Sequence, residues 1–304
     1  MKIAVLSDTR LPTSPDFAGH GLGQIVSTVA NGLAEHGHEV TLFAAPGSEF
    51  KAGKLVTATD EQHFLRHDLT AFDAVMDNTH SHITGQIQGL PAVQVSHDRE
   101  SKPTANAVFP SKAHGEWHGF NRTNAKVIHN GVKLPDISGY GKRRGGYVAY
   151  LGTFYPQKQP NAALDAARLA GVNLVMAGPT PPAPPPGSRY IGPLWGEDKF
   201  EFLYHADALI FPSSIECAPV TVLEAQSVGT PVIVSAFGGS HENMQHEKTG
   251  FVCQDTLEMS AALRNIHCIN RDACRQWVSE NRNEADMVAA YDAILQDVAA
   301  GKQW

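Results

Sequence analysis

Residues 211–235 read FPSSIECAPVTVLEAQSVGTPVIVS, and this stretch decides the fold. Ile210 and Phe211 close an apolar run, and Pro212–Pro219 is a polar loop with two serines and an acid. Val220–Val228 has helical spacing, Gly229 stops it, and Pro231 opens a second apolar run at Val232–Val234. A strand, a loop, a helix and a second strand make one step of an α/β sheet. Glu216 lies in the loop and Glu224 on the helix. An acid beside the free backbone N–H groups of a helix start suits a sugar hydroxyl next to a phosphate. If both acids were helical, eight steps would set them about 12 Å apart, the rough span from hexose to ribose across a diphosphate.

The same alternation extends on both sides. Strands are expected at Tyr147–Leu151, Asn173–Ala177, Tyr190–Gly192 and Ala208–Phe211, with helices at Ala162–Ala170 and from about Lys199 to His205. The PTPPAPPP run after Gly178 cannot be helical. Beyond the opening stretch, a short helix is expected around Glu242–His246, a turn and strand at Thr249–Val252, and helices at Leu257–Ile266, Arg271–Glu280 and Ala285–Ala299. In the first half, Lys2–Ser7 is a strand covered on both faces. A loop, Asp8–His20, leads through Gly19, Gly21 and Gly23 to a helix ending near His36, then a strand at Val40–Ala44. The GxGxG spacing is not the dinucleotide fingerprint, so these glycines read as a tight turn or a close approach to an anion. Further strands follow at Ala74–Asp77, Ala92–Ser96, Ala107–Phe109 and Lys126–His129, with short helices between.

Two α/β halves follow from this pattern. The expected division is residues 1–134 as an N-terminal acceptor-side domain, 135–146 as a linker, 147–284 as a C-terminal donor domain, and 285–304 as a helix packing back toward the first domain. The Lys142-Arg143-Arg144 run reads as solvated linker charge. Ligands of open α/β sheets bind beyond the carboxyl ends of the strands. Asn78, Thr79, His80, His82, His97, Asp98, His129 and Asn130 cluster there in the first half, and Lys158, Glu216, Glu224, Gly238 and Gly239 in the second. A lysine with helix-start amides can neutralise a diphosphate, and a carboxylate can accept both hydrogen bonds of a vicinal diol.

Composition narrows the class. The chain has 304 residues, 42% hydrophobic, with a formal net charge of −7. That argues against a nucleic-acid-binding surface and for a sizeable core. Four cysteines without a CxxC pair suit a reducing compartment. No apolar run reaches the roughly 20 residues of a membrane span, and MKIAVLSD reads as a strand rather than a signal peptide. A cytoplasmic location is expected, in which the Asn121-Arg122-Thr123 sequon has no role. His63/His67 and His114/His118 have the i, i+4 spacing of a helical metal pair, but no acid partner is set by sequence, and solvated or packing histidines are the preferred reading.

Several segments together resemble the retaining glycosyltransferases of family GT4, which have the GT-B fold. They are FPSSIECAPVTVLEAQSVGTPVIV with its E-x7-E acids, YLGTFYPQKQPNAALDAA, VIHNGV, GGSHENMQHEKTGFV and NGLAEHGHEVTLFA. The resemblance covers nearly the whole chain and is strongest to the compact bacterial subgroup of avilamycin-type sugar transferases. It implies an α/β fold of two Rossmann-like, doubly wound domains facing a cleft. It also implies transfer of a sugar from a nucleoside diphosphate, UDP- or GDP-linked, with retention at the anomeric carbon and without a cofactor or bound metal. By resemblance, Glu216 contacts the sugar hydroxyls, Glu224 the ribose and Lys158 the phosphates. Gly21 and Gly23 lie in the N-terminal loop that closes over the donor, and His97 faces the donor sugar. Thr153, Ala218, Pro219 and Val220 complete the donor-binding set. Thr153 stands where the family has an arginine, Ala218-Pro219 where it has Phe-Gly, and His241 where a proline precedes the glutamate matched by Glu242.

The acceptor stays open at this point: a lipid carrier, a small molecule such as a natural product, a glycan end or a modified nucleic-acid base, chosen by loops near Pro12–His20 and His97–Asn106. The alternatives are a GT-B binding protein that has lost catalysis, motivated by Thr153 and Pro219, and another GT-B sugar-nucleotide enzyme such as an epimerase or phosphorylase. Stable membrane insertion is not expected, and the oligomeric state is not set by the sequence.

Overall fold

The computed structural model describes residues 1–14, 21–100, 102–120 and 124–304. Gly19, most of the Pro12–His20 loop and the Asn121–Thr123 sequon lie outside the described residues. The chain divides into two units, residues 1–131 with 284–304, and residues 132–283.

The first unit is built on a seven-stranded parallel sheet in the order β3-β2-β1-β4-β5-β6-β7. Its strands are β1 (Lys2–Leu6), β2 (Glu39–Ala44), β3 (Lys54–Thr57), β4 (Ala74–Asp77), β5 (Ala92–Val95), β6 (Ala107–Phe109) and β7 (Lys126–Val127). Strand β1 pairs in register with β2, Ile3 opposite Val40, and with β4, Ile3 opposite Ala74. Helix α1 (Gly21–Glu35) buries Ile25, Val26, Val29 and Leu33. Gly21 and Gly23 therefore sit in the first turn of α1, not in a loop. A Cβ on Gly23 would stand 2.9 Å from the Pro12 carbonyl oxygen, so this glycine lets the chain after β1 lie against the helix. The only α-helix between β4 and β7 among the described residues is α2 (Lys112–Trp117). Ile83–Gln86, between β4 and β5, is a 3-10 turn, and two more 3-10 turns, Glu61–Arg66 and Leu69–Ala71, lie between β3 and β4.

The second unit holds a six-stranded parallel sheet in the order β10-β9-β8-β11-β12-β13. Its strands are β8 (Val148–Leu151), β9 (Leu174–Ala177), β10 (Arg189–Tyr190), β11 (Ala208–Phe211), β12 (Val232–Ser235) and β13 (Gly250–Cys253). The helices are α3 (Pro160–Ala170), α4 (Gly196–His205), α5 (Val220–Ser227), α6 (Thr256–Asn265) and α7 (Arg271–Asn281). Two apolar clusters flank the sheet. One joins α3 and α6 through Leu164, Ala167 and Leu263, and the other joins α4 and α5 through Leu203, Val222 and Ala225. Strands covered on both faces explain the unbroken apolar runs. Helix α8 (Glu284–Ala299) belongs to the first unit, where Val288 fills the space that a Cβ on Gly32 of α1 would need.

Arg143 is not solvated linker charge. It is half-buried, and its guanidinium donates to the carbonyls of Tyr204 in α4 and Val228 just after α5, the latter at 2.8 Å, while lying 3.8 Å from the Tyr204 ring centroid. Carbonyls at helix ends lack intrahelical partners and carry the negative end of the dipole, so a guanidinium satisfies both needs.

Candidate functional site

The loops after β8, β11 and β12, three adjacent strands, meet around Glu216. The 3-10 turn Pro156–Lys158 brings Lys158 Nζ to 2.5 Å from Glu216 Oε1. Ser213 Oγ donates to the same oxygen at 2.7 Å. The Glu216 side chain is 12% exposed and that of Lys158 31%, so the pair faces a partly open rim. From the β12 side, Gly239 N–H donates to the Glu216 carbonyl at 2.7 Å. Gly238 has φ +69°, and a Cβ there would come within 2.9 Å of the same carbonyl oxygen. Gly238 is thus needed for this backbone to lie against the Glu216 loop. Gln159, in the left-handed region at φ 53°, donates through Nε2 to Ser214 Oγ at 3.0 Å. Glu216 itself is not helical, so a helical rise does not measure its separation from Glu224.

Helix α5 begins immediately beyond. Pro219 is its N-cap and supplies no side-chain cap, and Asn243 Nδ2 donates to the Pro219 carbonyl at 3.1 Å. Ala218 and Pro219 are buried and Val220 is half-buried. The amides of an uncapped first turn, with the positive end of the dipole, make an anion-binding position. Pro219 contributes no N–H to it. Glu224 is 5% exposed, and Lys199 Nζ of α4 lies 2.5 Å from its Oε1. Thr153 receives the Tyr150 hydroxyl on its carbonyl oxygen at 2.7 Å. Burial, and then the Glu216 charge, push the Tyr150 phenol well above its usual range, so Tyr150 acts as a neutral donor.

In the first unit, His97 Nε2 lies 3.0 Å from Asn78 Oδ1, at the carboxyl ends of β5 and β4. Beside it, His80 sits between Asp8 and Asp98, 3.3 Å from Asp8 Oδ2, and Arg10 Nε bonds Asp8 Oδ2 at 3.0 Å. The sequence singled out His80, His97 and Asp98 here but not Arg10. A lone arginine in a loop gives no periodic signal. Of the paired histidines, His67 is exposed and His114 is buried. His67 stands edge-on to Phe43. His114 meets Ser96 Oγ at 3.1 Å, and His118 stacks on Phe109. Among the described residues no group of three His, Cys, Asp or Glu is set to hold a metal ion.

Residues 141–285 match the family model "Glycosyl transferases group 1". A glycogen synthase of Mycobacterium tuberculosis is 33% identical over 81 residues, 26% of this chain and 20% of that protein. A D-inositol 3-phosphate glycosyltransferase of Geodermatophilus obscurus is 30% identical over 123 residues, 38% of this chain and 27% of that protein. The chain thus spans only about a fifth to a quarter of the length of these relatives. Among solved structures, AviGT4, a glycosyltransferase involved in avilamycin A biosynthesis, superposes with a TM-score of 0.84 at 22% identity, covering 100% of this chain and 99% of that one. Anabaena HepE in complex with UDP-glucose superposes with a TM-score of 0.72 at 17% identity, covering 98% and 100%. The fold is GT-B: two Rossmann-like units with parallel sheets. Among the described residues no helix is long and apolar enough to cross a membrane.

Proposed function

We propose that this chain is a retaining glycosyltransferase of the GT4 kind that moves a sugar from a nucleoside diphosphate to an acceptor hydroxyl. The observation that carries the reading is the convergence of Lys158, Glu216 and the uncapped start of α5 at the strand ends of the second unit, within the segment that matches the family model. Glu216 accepts hydrogen bonds from the sugar hydroxyls. Lys158 and the first-turn amides of α5 take the diphosphate, and Glu224 takes the ribose. The anomeric carbon–phosphate oxygen bond breaks, the acceptor oxygen bonds the same face, and the acceptor proton passes to the leaving phosphate. Lys158 and the amides supply the positive potential that the leaving group needs, so this reading requires no metal.

HepE, a neighbour in fold, binds UDP-glucose, which supports a nucleotide-sugar donor, UDP- or GDP-linked. AviGT4, a neighbour in fold, is involved in avilamycin A biosynthesis, which supports a small-molecule acceptor over a glycan end or a modified base. Thermal unfolding with UDP-, GDP-, ADP- and dTDP-sugars tests the donor. A ligand at a hundred times its Kd stabilises by about 2.7 kcal/mol, and no shift with any of the four would sink the reading. Thr153 and Pro219 favour one competing reading, a nucleotide-sugar-binding protein without transfer. Product formation with a bound donor separates the two.

A further inference from the structure

Lys199 has no role in the machinery described above, and its position is costly. It is the fourth residue of α4, where a cation opposes the positive end of the helix dipole. Its side chain is 8% exposed, and that of its partner Glu224 7%. Burying both members of an ion pair carries a desolvation cost that two apolar side chains of similar volume would avoid. Packing of α4 on α5 therefore does not call for this pair, since Leu203, Val222 and Ala225 already supply the apolar contact. Nor does Lys199 fit a phosphate ligand, which must present its ammonium as the more exposed Lys158 does. A local rule broken inside an otherwise consistent sequence points to function.

We propose that Lys199 is a positioning residue for nucleotide recognition: it fixes the Glu224 carboxylate so that this group reads the ribose hydroxyls of a nucleoside diphosphate. The inference rests on the donor reading given above. The Lys199 ammonium engages Glu224 Oε1 at 2.5 Å, which leaves Oε2 for the ribose diol. A carboxylate held on one oxygen cannot rotate freely, so the entropy of ordering it is lost on folding rather than on binding.

The test is calorimetric and uses the full chain with UDP and GDP and with their 2′,3′-dideoxy analogues. The wild type is expected to prefer the ribose form of its nucleotide by about tenfold or more, the scale of a charge-assisted hydrogen bond. In Lys199→Met the preference is expected to fall to within about threefold, as in Glu224→Gln, while the dideoxy analogue binds both variants nearly as it binds the wild type. A purely structural lysine would lower both affinities together and leave the preference intact, which overturns the proposal. If Lys199→Met does not fold by circular dichroism, Lys199→Gln keeps a donor without the charge. Its preference must then drop by at least about threefold, and an unchanged preference overturns the proposal equally. A wild type that binds UDP or GDP without ribose preference removes the role given to Glu224, and this proposal with it. A wild type that binds neither nucleotide overturns the donor reading itself.

Discussion

Glu216 is gripped twice: Lys158 and Ser213 hold its carboxylate, and Gly238–Gly239 hold its backbone. Glu216→Gln keeps the volume and removes the charge that pairs with Lys158. Sugar transfer is expected to fall by about a hundredfold or more, measured as product formed under saturating donor, with the melting temperature nearly unchanged. Lys158→Met is expected to weaken donor binding by roughly tenfold to a hundredfold, read by calorimetry with the intact nucleotide sugar. The acids and Lys158 were legible because loops after apolar runs stand out in an α/β pattern. Lys199 was not. With Glu197 and Asp198 beside it, it reads as solvated charge at a helix start, and its partner lies 25 residues away. Arg143 was misread for the same reason, since a basic run looks solvated until the helix-end carbonyls it caps are in place.

At the scale of elements, α2 carries a consequence for pH. His114 is buried, its backbone N–H is received by the cap Ser111 at 3.1 Å, and its ring meets Ser96. Burial, and then the neighbouring His118, lower its pKa from 6.5 to about 4. An unfolded chain takes up this proton near pH 6.5 and the folded chain only near 4, so the unfolded state binds more protons in between. Stability is therefore present above about pH 6.5, declines as pH falls toward 4, and is flat below for this group, a change on the order of 3 kcal/mol. Urea midpoints of the full chain across that window should show the decline, and His114→Gln should flatten it. Arg143→Met removes two bonds to helix-end carbonyls. It is expected to cost about 2 kcal/mol, seen as a lower urea midpoint with donor affinity retained. Strand β3 escaped the sequence because both its faces are only partly covered, so Lys54–Thr57 shows neither a continuous apolar run nor clean alternation.

At the scale of the whole molecule, the two parallel sheets were legible because central strands buried on both faces leave short, unbroken apolar runs separated by helical ones. The division between units is harder to read. Arg275 bonds the Pro135 carbonyl at 2.9 Å, and Gly146 N–H bonds Asp207 at 2.8 Å. Residues 135–146, expected as a linker, therefore belong by their hydrogen bonds to the second unit. The composition of a linker, rich in glycine and charge, is also that of a surface strap, and only tertiary partners tell them apart.

Helix α8 is joined to the first unit by Val288 against Gly32, by the buried Tyr291, and by Asp292 bonded to His36 at 2.7 Å and His38 at 3.0 Å. During translation this helix leaves the ribosome after every other element of both units. The second unit is contiguous and can close as soon as it emerges. The first must wait, with one side of α1 bare, until synthesis has passed through its neighbour. A fragment of residues 132–283 should accordingly express as a folded species. A fragment of residues 1–131 should aggregate unless residues 284–304 are supplied in trans, because exposed apolar surface in an unfinished domain drives association. Recovery in the soluble fraction, with and without the added peptide, measures how far the order of synthesis constrains the chain.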